Sequence, residues 1–171
     1  MKHRRSYSII PVLVSLTLLT ACEQSTETAP TTEPSNAELA SGLTVKEQIE
    51  ARQAQLKKMG KAFKTISDQL KSDKPDIAQI QAAAAVVPKE SATMLDWFPT
   101  ATGPESGVKT EALPAIWNNK EDFNGKVAAL QDTAAKLDSA AQTGDIAAIS
   151  AAFQTTGGTC KACHDKYRMD D

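Results

Sequence analysis

Apolar residues recur at alternating steps of four and three along several stretches of the chain, the spacing that places side chains on one face of an α-helix. The first stretch follows Thr44, and the sequence from Thr44 to Glu47 has the form of an N-terminal capping box. Its face contains Val45, Ile49, Arg52, Leu56, Met59, Phe63, Ile66 and Leu70. Every position on that face is apolar except Arg52. The pattern therefore predicts an amphipathic helix with one arginine on its buried side.

A second helix and a long loop are predicted in the middle of the chain. The apolar face of this helix contains Ile77, Ile80, Ala84 and Val87. Pro75 suits the first turn of the helix, whereas Pro88 should kink it or split it in two because proline has no backbone N–H. The segment from Pro99 to Pro114 is dense in Gly, Pro, Ser and Thr. This composition predicts the one long loop of the domain.

The alternating spacing returns in two helices near the C-terminus. The third helix should run from about Lys120 to Gln142, with Gly144 capping its end and Asp145 capping the start of the fourth. The third face contains Phe123, Val127, Leu130, Ala134, Leu137 and Ala141. The fourth contains Ile146, Ile149, Phe153, Thr156, Cys160, Cys163 and Tyr167. With no period-two alternation to indicate strands, the chain is predicted to be all-α, an antiparallel four-helix bundle.

The first residues have the pattern of a bacterial export signal. Positive charges over residues 2–5 precede an apolar run from Ile9 to Leu19, and the sequence Leu-Thr-Ala-Cys ending at Cys22 resembles the lipobox of lipoproteins. We therefore predict a signal peptide over residues 1–21, a lipid-anchored flexible linker over 22–41 and a folded domain over 42–171. An ordinary signal peptide with a chance cysteine is the alternative. Lipidated Cys22 would hold the domain on the periplasmic side of a membrane, and Glu23 slightly favours the outer membrane.

The net charge of the chain argues against a nucleic-acid partner. Removal of the signal leaves 16 Lys and Arg against 21 Asp and Glu, a net charge of −5. Proteins that bind nucleic acid instead cluster Lys and Arg to neutralise phosphates. We therefore expect no nucleic-acid partner.

The candidate chemistry lies in Cys160, Cys163 and His164, which form a Cys-x-x-Cys-His motif. In an exported chain this motif is typical of covalent haem c attachment, with two thiols bound to the porphyrin and the histidine ligating iron. A structural zinc site would need four ligands, and His164 is the only histidine left after the signal is removed. A thioredoxin-like dithiol would need a strand and helix context that the pattern lacks. One motif predicts one haem, with iron bound by His164.

The motif does not identify the sixth ligand of the iron. A second histidine is excluded, so methionine is the next candidate ligand. The chain offers Met59, Met94 and Met169 after the signal. Met169 lies five residues past His164 and should stay on the histidine's side of the ring.

The position of the motif near the C-terminus of a four-helix bundle resembles the class II cytochromes c, and especially the cytochrome c prime family. Four segments resemble those of the family: residues 51–63, 113–117, 122–123 and 160–168. Together they span nearly the whole folded domain.

That resemblance implies a role for each candidate site residue. His164 would be the proximal ligand, and Leu56 would cover the opposite, distal face, which implies five-coordinate, high-spin iron. Met59 lies on the same helical face and is expected to be a core residue near the haem, as is Phe63. Arg52 is expected to bind a haem propionate, the alternative being an arginine that extends to the end of the bundle. Arg168 would lie beside the proximal pocket.

Two functions follow as expectations. The first is a non-enzymatic haem protein that binds nitric oxide, with carbon monoxide as a second diatomic ligand, and contributes to nitrogen-oxide handling. The competing one is a low-spin periplasmic electron carrier with methionine as sixth ligand and an unidentified redox partner. At most weak peroxidase-like turnover is expected, because no distal histidine or acid is visible to cleave a peroxide bond. Homodimerisation is common in the family, but no sequence feature fixes an interface.

Overall fold

The computed structural model describes residues 33–169, and the helical path within this range follows the sequence pattern closely. Its α-helices, in chain order, are α1 Val45–Leu70, α2 Ile77–Ala84, α3 Val86–Ser91, α4 Ala115–Asn118, α5 Lys120–Thr143 and α6 Ile146–Tyr167. Short 3₁₀ helices occupy Pro34–Asn36, Met94–Trp97 and Pro104–Ser106. Within residues 33–169 no strand forms. With α2 and α3 counted as one interrupted element, the architecture is the predicted all-α four-helix bundle.

The long helix α1 starts at the predicted capping box. The hydroxyl of Thr44 accepts from the backbone N–H of Glu47 at 3.2 Å, and the Glu47 carboxylate accepts from the N–H of Thr44 at 2.8 Å. Two N–H groups that have no partner within the helix are thereby satisfied. The helix then presents its apolar face, including fully buried Ile49 and Ile66, to the rest of the bundle.

The second predicted helix is split, as its proline indicated. Helix α2 ends at Ala84 and α3 begins at Val86, so that Pro88 lies in the first turn of α3. Proline cannot donate to the carbonyl of Ala84, and the helix breaks one residue after that carbonyl. The expectation for Pro75 was wrong in detail: the N-cap is Asp76, whose carboxylate accepts from the N–H of Gln79 at 3.1 Å, and Pro75 precedes it.

Helices α5 and α6 form a tight antiparallel pair. Gly144 ends α5 with a left-handed φ of 72°, and the next residue, Asp145, caps α6 by accepting from the N–H of Ala147 at 2.8 Å. Leu137 of α5 and Ile149 of α6 are fully buried between them. The pair therefore provides a rigid support for the C-terminal turns of α6, where the candidate site residues lie.

The long loop after Phe98 is held to the end of α6 by backbone hydrogen bonds. The N–H of Leu113 donates to the carbonyl of Tyr167 at 3.0 Å, and the N–H of Met169 donates to the carbonyl of Glu111 at 2.8 Å. This antiparallel pairing fixes residues 109–112 beside the last turn of α6.

Part of the predicted linker has local structure. Its described residues, 33–41, include the 3₁₀ turn Pro34–Asn36, and the carbonyl of Ala37 accepts from the N–H of Val45 at 2.9 Å. The predicted signal peptide and Cys22 lie outside the described residues. None of the helices in the described range is long and apolar enough to cross a membrane.

The α5–α6 connection can be tested with two glycine substitutions. Gly144→Ala should lower the free energy of unfolding by about 1 kcal/mol, because a Cβ is unfavourable at a left-handed φ. Gly125→Ala, at an exposed position inside α5 where a Cβ meets nothing within 4 Å, should raise it by about 0.5–1 kcal/mol. Urea denaturation of the haem-loaded protein measures both changes. If both substitutions changed the free energy of unfolding by the same amount in the same direction, the left-handed conformation of Gly144 would be contradicted.

Candidate functional site

A large cavity lies between α1 and α6. Its volume is about 810 Å³, within the range typical of cofactor sites. Helices α3 and α5 and the loop residues 109–112 complete its wall. Most of the predicted site residues line it: Arg52, Leu56, Met59, Phe63, Cys160, Cys163, His164 and Arg168.

The α6 wall carries the Cys-x-x-Cys-His motif. Cys160 and Cys163 are half-buried and three residues apart, so both lie on the cavity side of the helix. Burial raises the pKa of Cys160, and burial with the neighbouring Cys160 raises that of Cys163 to about 11, so both thiols are protonated at neutral pH. Among residues 33–169 no group of three His, Cys, Asp or Glu is placed to hold a metal ion. The zinc alternative therefore gains no support in that range.

His164 lines the cavity next to Cys163 while part of its surface faces solvent. Desolvation, followed by the neighbouring Arg168 cation, lowers the pKa of this imidazole. At neutral pH the ring is therefore uncharged, and one nitrogen keeps the lone pair that a metal ligand needs. Two thiols and one imidazole on a single wall, facing an apolar cavity, are the donor set that a covalent haem requires.

The opposite wall is the apolar face of α1. Leu56 and Phe63 are half-buried and Met59 is only 7% exposed, packed in the core. The ring of Phe63 stacks on that of Phe153 from α6, with 4.8 Å between their centroids. Leucine, methionine and phenylalanine side chains therefore line the cavity from α1, whereas His164 lines it from α6.

Arg52 is 1% exposed, so the alternative of a side chain extending to the end of the bundle is wrong. Its Nη1 donates to the hydroxyl of Thr102 at 3.1 Å and to the carbonyl of Trp97 at 3.4 Å. Its Nη2 donates to the carbonyl of Thr102 at 3.0 Å and to the hydroxyl of Thr110 at 2.9 Å. The guanidinium carbon also lies 4.6 Å from the centroid of the Phe98 ring.

All of these partners are neutral. Burial lowers the pKa of Arg52 to about 10, which leaves it protonated at neutral pH. Within the described residues, no carboxylate lies within 4 Å of this guanidinium. The cavity is thus lined by a buried positive charge that no protein anion neutralises, a feature that fits an anionic group on the cofactor.

The end of α6 holds two further cavity residues. The Nε of Arg168 lies 3.6 Å from Oε2 of Glu111, and both side chains are largely exposed. Tyr167 is buried, meets Phe123 edge to face, and donates its hydroxyl hydrogen to the carboxylate of Asp122. The tyrosine therefore fixes the last turn of α6 against α5.

Sequence reasoning missed the loop contribution to this site. Thr102 and Thr110 bind Arg52, and Lys109 and Glu111 line the cavity, yet none lies on a periodic apolar face. The sequence carried one signal for this contact: a polar loop together with a lone arginine on an apolar helical face. That signal does not specify which loop residues bind the arginine.

Comparison with known proteins finds a match over most of the described residues. The family model for Cytochrome C' matches residues 47–168. The cytochrome c' of Alcaligenes xylosoxydans xylosoxydans is 39% identical over 121 residues, which cover 70% of this chain and 91% of that protein.

Solved structures are similar over the same range. A cytochrome c' with an unusual ligand-controlled dimer dissociation has a TM-score of 0.70 at 33% identity and covers 75% of this chain and 99% of its own. The nitric oxide complex of a cytochrome c prime variant from Alcaligenes xylosoxidans has a TM-score of 0.66 at 34% identity, with coverages of 74% and 97%.

The role of Arg52 in holding the loop is tested by Arg52→Met. We expect the free energy of unfolding of the haem-loaded protein to fall by about 2 kcal/mol, because the carbonyl of Thr102 and the hydroxyl of Thr110 lose a buried charged donor. Gln53→Met is the control: Gln53 is exposed and donates only to the carbonyl of Lys109, so a change within about 0.5 kcal/mol is expected. Urea denaturation measures the free energy of unfolding of both variants. If the two variants lost the same amount, the role of Arg52 in holding the loop would be contradicted.

The contact between Tyr167 and Asp122 predicts a pH dependence. The hydrogen bond from Tyr167, with that from Lys166, lowers the pKa of Asp122 below its ordinary value of 3.8. The resulting stabilisation is present above that value and is lost as the pH falls through the lowered pKa. Asp122→Asn should therefore lower the urea midpoint at neutral pH, and the midpoints of variant and wild type should converge in acid. Asp73→Asn is the control for loss of a carboxylate, and a similar profile for both variants would contradict the prediction.

Proposed function

This chain belongs to the cytochrome c' family, and from that membership we propose that it binds nitric oxide at a five-coordinate, high-spin haem iron and contributes to nitrogen-oxide handling. The family match supports the coarser statement directly: the chain is a haem c protein with one covalent haem, and not an enzyme. The observation that carries the finer proposal is the α1 wall of the cavity, where Leu56 supplies no donor atom.

The proposed attachment uses the α6 wall. Cys160 and Cys163 would hold the porphyrin, each through a thioether formed by addition of its thiol S–H across a vinyl group, and His164 would bind the iron. The haem would supply an iron that can take a diatomic gas. The cavity supports this arrangement because both half-buried thiols and the neutral imidazole line it together.

The α1 wall then restricts the distal face. Leu56 is half-buried and lines the cavity, so an incoming ligand has to move its side chain. Nitric oxide binds haem iron strongly enough to offset that displacement, whereas weaker ligands do not. Carbon monoxide is the second candidate ligand. Phe63, stacked on Phe153, restricts the same wall two turns further along α1.

Two arginines have proposed roles at the edges of the haem. Arg52 holds a propionate, because it is a buried cation lining the cavity with only neutral protein acceptors. Arg168 lies one helical turn after His164, close enough for its charge to lower the pKa of that imidazole. It therefore tunes the proximal ligand or contacts a gas bound on that side.

The alternative function is a low-spin electron carrier with Met59 as sixth ligand. Its support is that Met59 lines the same cavity on the wall away from His164. Its 7% exposure and its packing in the core support instead the structural role that we favour. An unidentified redox partner is proposed under either function, since a haem iron can take up and release one electron.

We propose further that the chain is exported and that lipidated Cys22 anchors it on the periplasmic side of a membrane, with the outer membrane slightly favoured. The pattern of the first 22 residues supports this proposal. A homodimer is the proposed assembly, supported by the relative whose dimer dissociates under ligand control. Sedimentation velocity with and without nitric oxide measures that assembly.

The experiment that tests the function is a nitric oxide titration of the ferrous protein, followed by absorption. We expect a spectral change in the wild type. Leu56→Ala should accelerate carbon monoxide binding at least about tenfold, equivalent to about 1.4 kcal/mol of barrier, because the distal obstruction is removed.

Met59→Leu is the matched control on the same helical face. It should leave the ferric spectrum and the gas-binding rates nearly unchanged. If nitric oxide produced no spectral change, gas binding would be excluded. If Met59→Leu abolished a sulfur-to-iron charge-transfer band, the electron-carrier function would replace ours.

A further inference from the structure

The charges around the cavity are unlike those of the rest of the domain. Residues 33–169 contain 16 Lys and Arg and 17 Asp and Glu, a net charge of −1. The residues that line the cavity include five cations and one carboxylate, a net charge of +4, which leaves −5 for all other described residues. The charged lining residues are Arg52, Lys57, Lys109, Lys126, Arg168 and Glu111.

Three lysines of this set line the cavity from different elements. Gln53 donates its side-chain amide to the carbonyl of Lys109 at 2.9 Å, and Lys57 follows Gln53 by one turn of α1. Lys57 and Lys109 therefore lie on the same edge, and both are exposed. Lys126 lies on α5 near the motif, where its charge acts on both Cys163 and Asp122. We call Lys57, Lys109 and Lys126 the basic collar.

The collar lysines form no close ion pair within the described part of the chain. No carboxylate of residues 33–169 lies within 4 Å of any of the three ammonium groups. Four other lysines pair with a carboxylate one helical turn away: Lys46, Lys64, Lys136 and Lys161. The collar therefore projects a positive field from one face of an acidic protein.

A bound haem reduces this field without removing it. Its two propionates carry two negative charges, and Arg52 is the buried cation best placed to hold one of them. The lining then retains a net charge of +2. Fields of this kind steer an oppositely charged molecule to the surface and raise its association rate by about 10- to 1,000-fold at low salt.

We propose that the basic collar is the docking surface for an acidic redox protein that donates one electron to the haem. This inference rests on the proposed haem attachment at the same cavity. The donor protein loses one electron and is oxidised, the iron passes from ferric to ferrous, and no atom or proton is transferred.

A lipid surface is less well supported as the occupant. Membrane-surface binding combines cations with apolar side chains that insert below the headgroups. The large hydrophobic residues that the described part of the chain exposes are Leu43, Leu95 and Met169, and none of them lines the cavity. A concave opening surrounded by lysines fits a convex acidic protein better.

The test is the salt dependence of one-electron oxidation of the ferrous holoprotein. Oxidation can stand in for reduction because the field of the collar attracts or repels a charged reactant in the same way in both reactions. The probes are ferricyanide, which is anionic, and tris(phenanthroline)cobalt(III), which is cationic. If the collar governs approach, the rate with ferricyanide should fall as salt is added and the rate with the cobalt complex should rise. The net negative charge of the whole chain predicts the opposite signs, and that result would overturn the proposal.

Substitution locates the effect. The triple variant Lys57→Gln, Lys109→Gln and Lys126→Gln should slow ferricyanide oxidation about tenfold at low ionic strength. Lys71→Gln, Lys74→Gln and Lys89→Gln form the matched control, with the same charge change at exposed lysines that do not line the cavity. That control should change the rate less than about twofold. Equal slowing in the two triple variants would contradict a local docking surface.

Two further probes identify the class of partner. Poly-glutamate should inhibit the ferricyanide reaction of the wild type and have less effect on the collar variant. A Cys22→Ser chain that begins at residue 22, without the predicted signal peptide, should not sediment with phosphatidylglycerol vesicles. Sedimentation that required the three collar lysines would assign the surface to lipid and overturn the proposal. Haem absorption and the nitric oxide response of each sample show separately whether the proposed function holds.

Discussion

The guanidinium of Arg52 is a full positive charge inside an otherwise apolar helical face, and much of the site depends on how that charge is accommodated. Water cannot solvate it at 1% exposure, so the segment between Trp97 and Thr110 supplies the acceptors. This requirement holds a polar loop against α1 and beside the cavity. The same loop is paired with the last turn of α6, where the haem-binding motif lies. One buried cation thereby connects the two walls that enclose the haem.

The composition of the core is consistent with a domain built around a large cofactor. Aromatic residues are only 5% of the chain, and small residues such as Ala134 and Ala141 lie fully buried on the inner face of α5. Small side chains let helices pack closely at one end of the bundle. At the other end, where α1 and α6 line the cavity of about 810 Å³, the apolar area required for stability has to come largely from the cofactor.

Much of this fold could be predicted from the sequence because the bundle obeys short-range rules. The capping box at Thr44, the break before Pro88 and the left-handed Gly144 each involve residues within four positions of one another. The Cys160–Cys163–His164 motif is local in the same way, and helical periodicity places it on the inner face. The acceptors of Arg52 were not predictable, since Thr102 and Thr110 are 50 and 58 positions away in a loop without periodicity. The short helix Ala115–Asn118 escaped prediction for the same reason.

We propose that Leu56, and not the sulfur of Met59, faces the distal side of the iron. The most direct measurement is the electron paramagnetic resonance spectrum of the ferric holoprotein at neutral pH without added ligand. We expect a high-spin signal, because His164 would bind the iron and Leu56 supplies no donor atom. A low-spin spectrum, accompanied by a methionine charge-transfer band in the absorption spectrum, would contradict it and assign the sixth position to Met59.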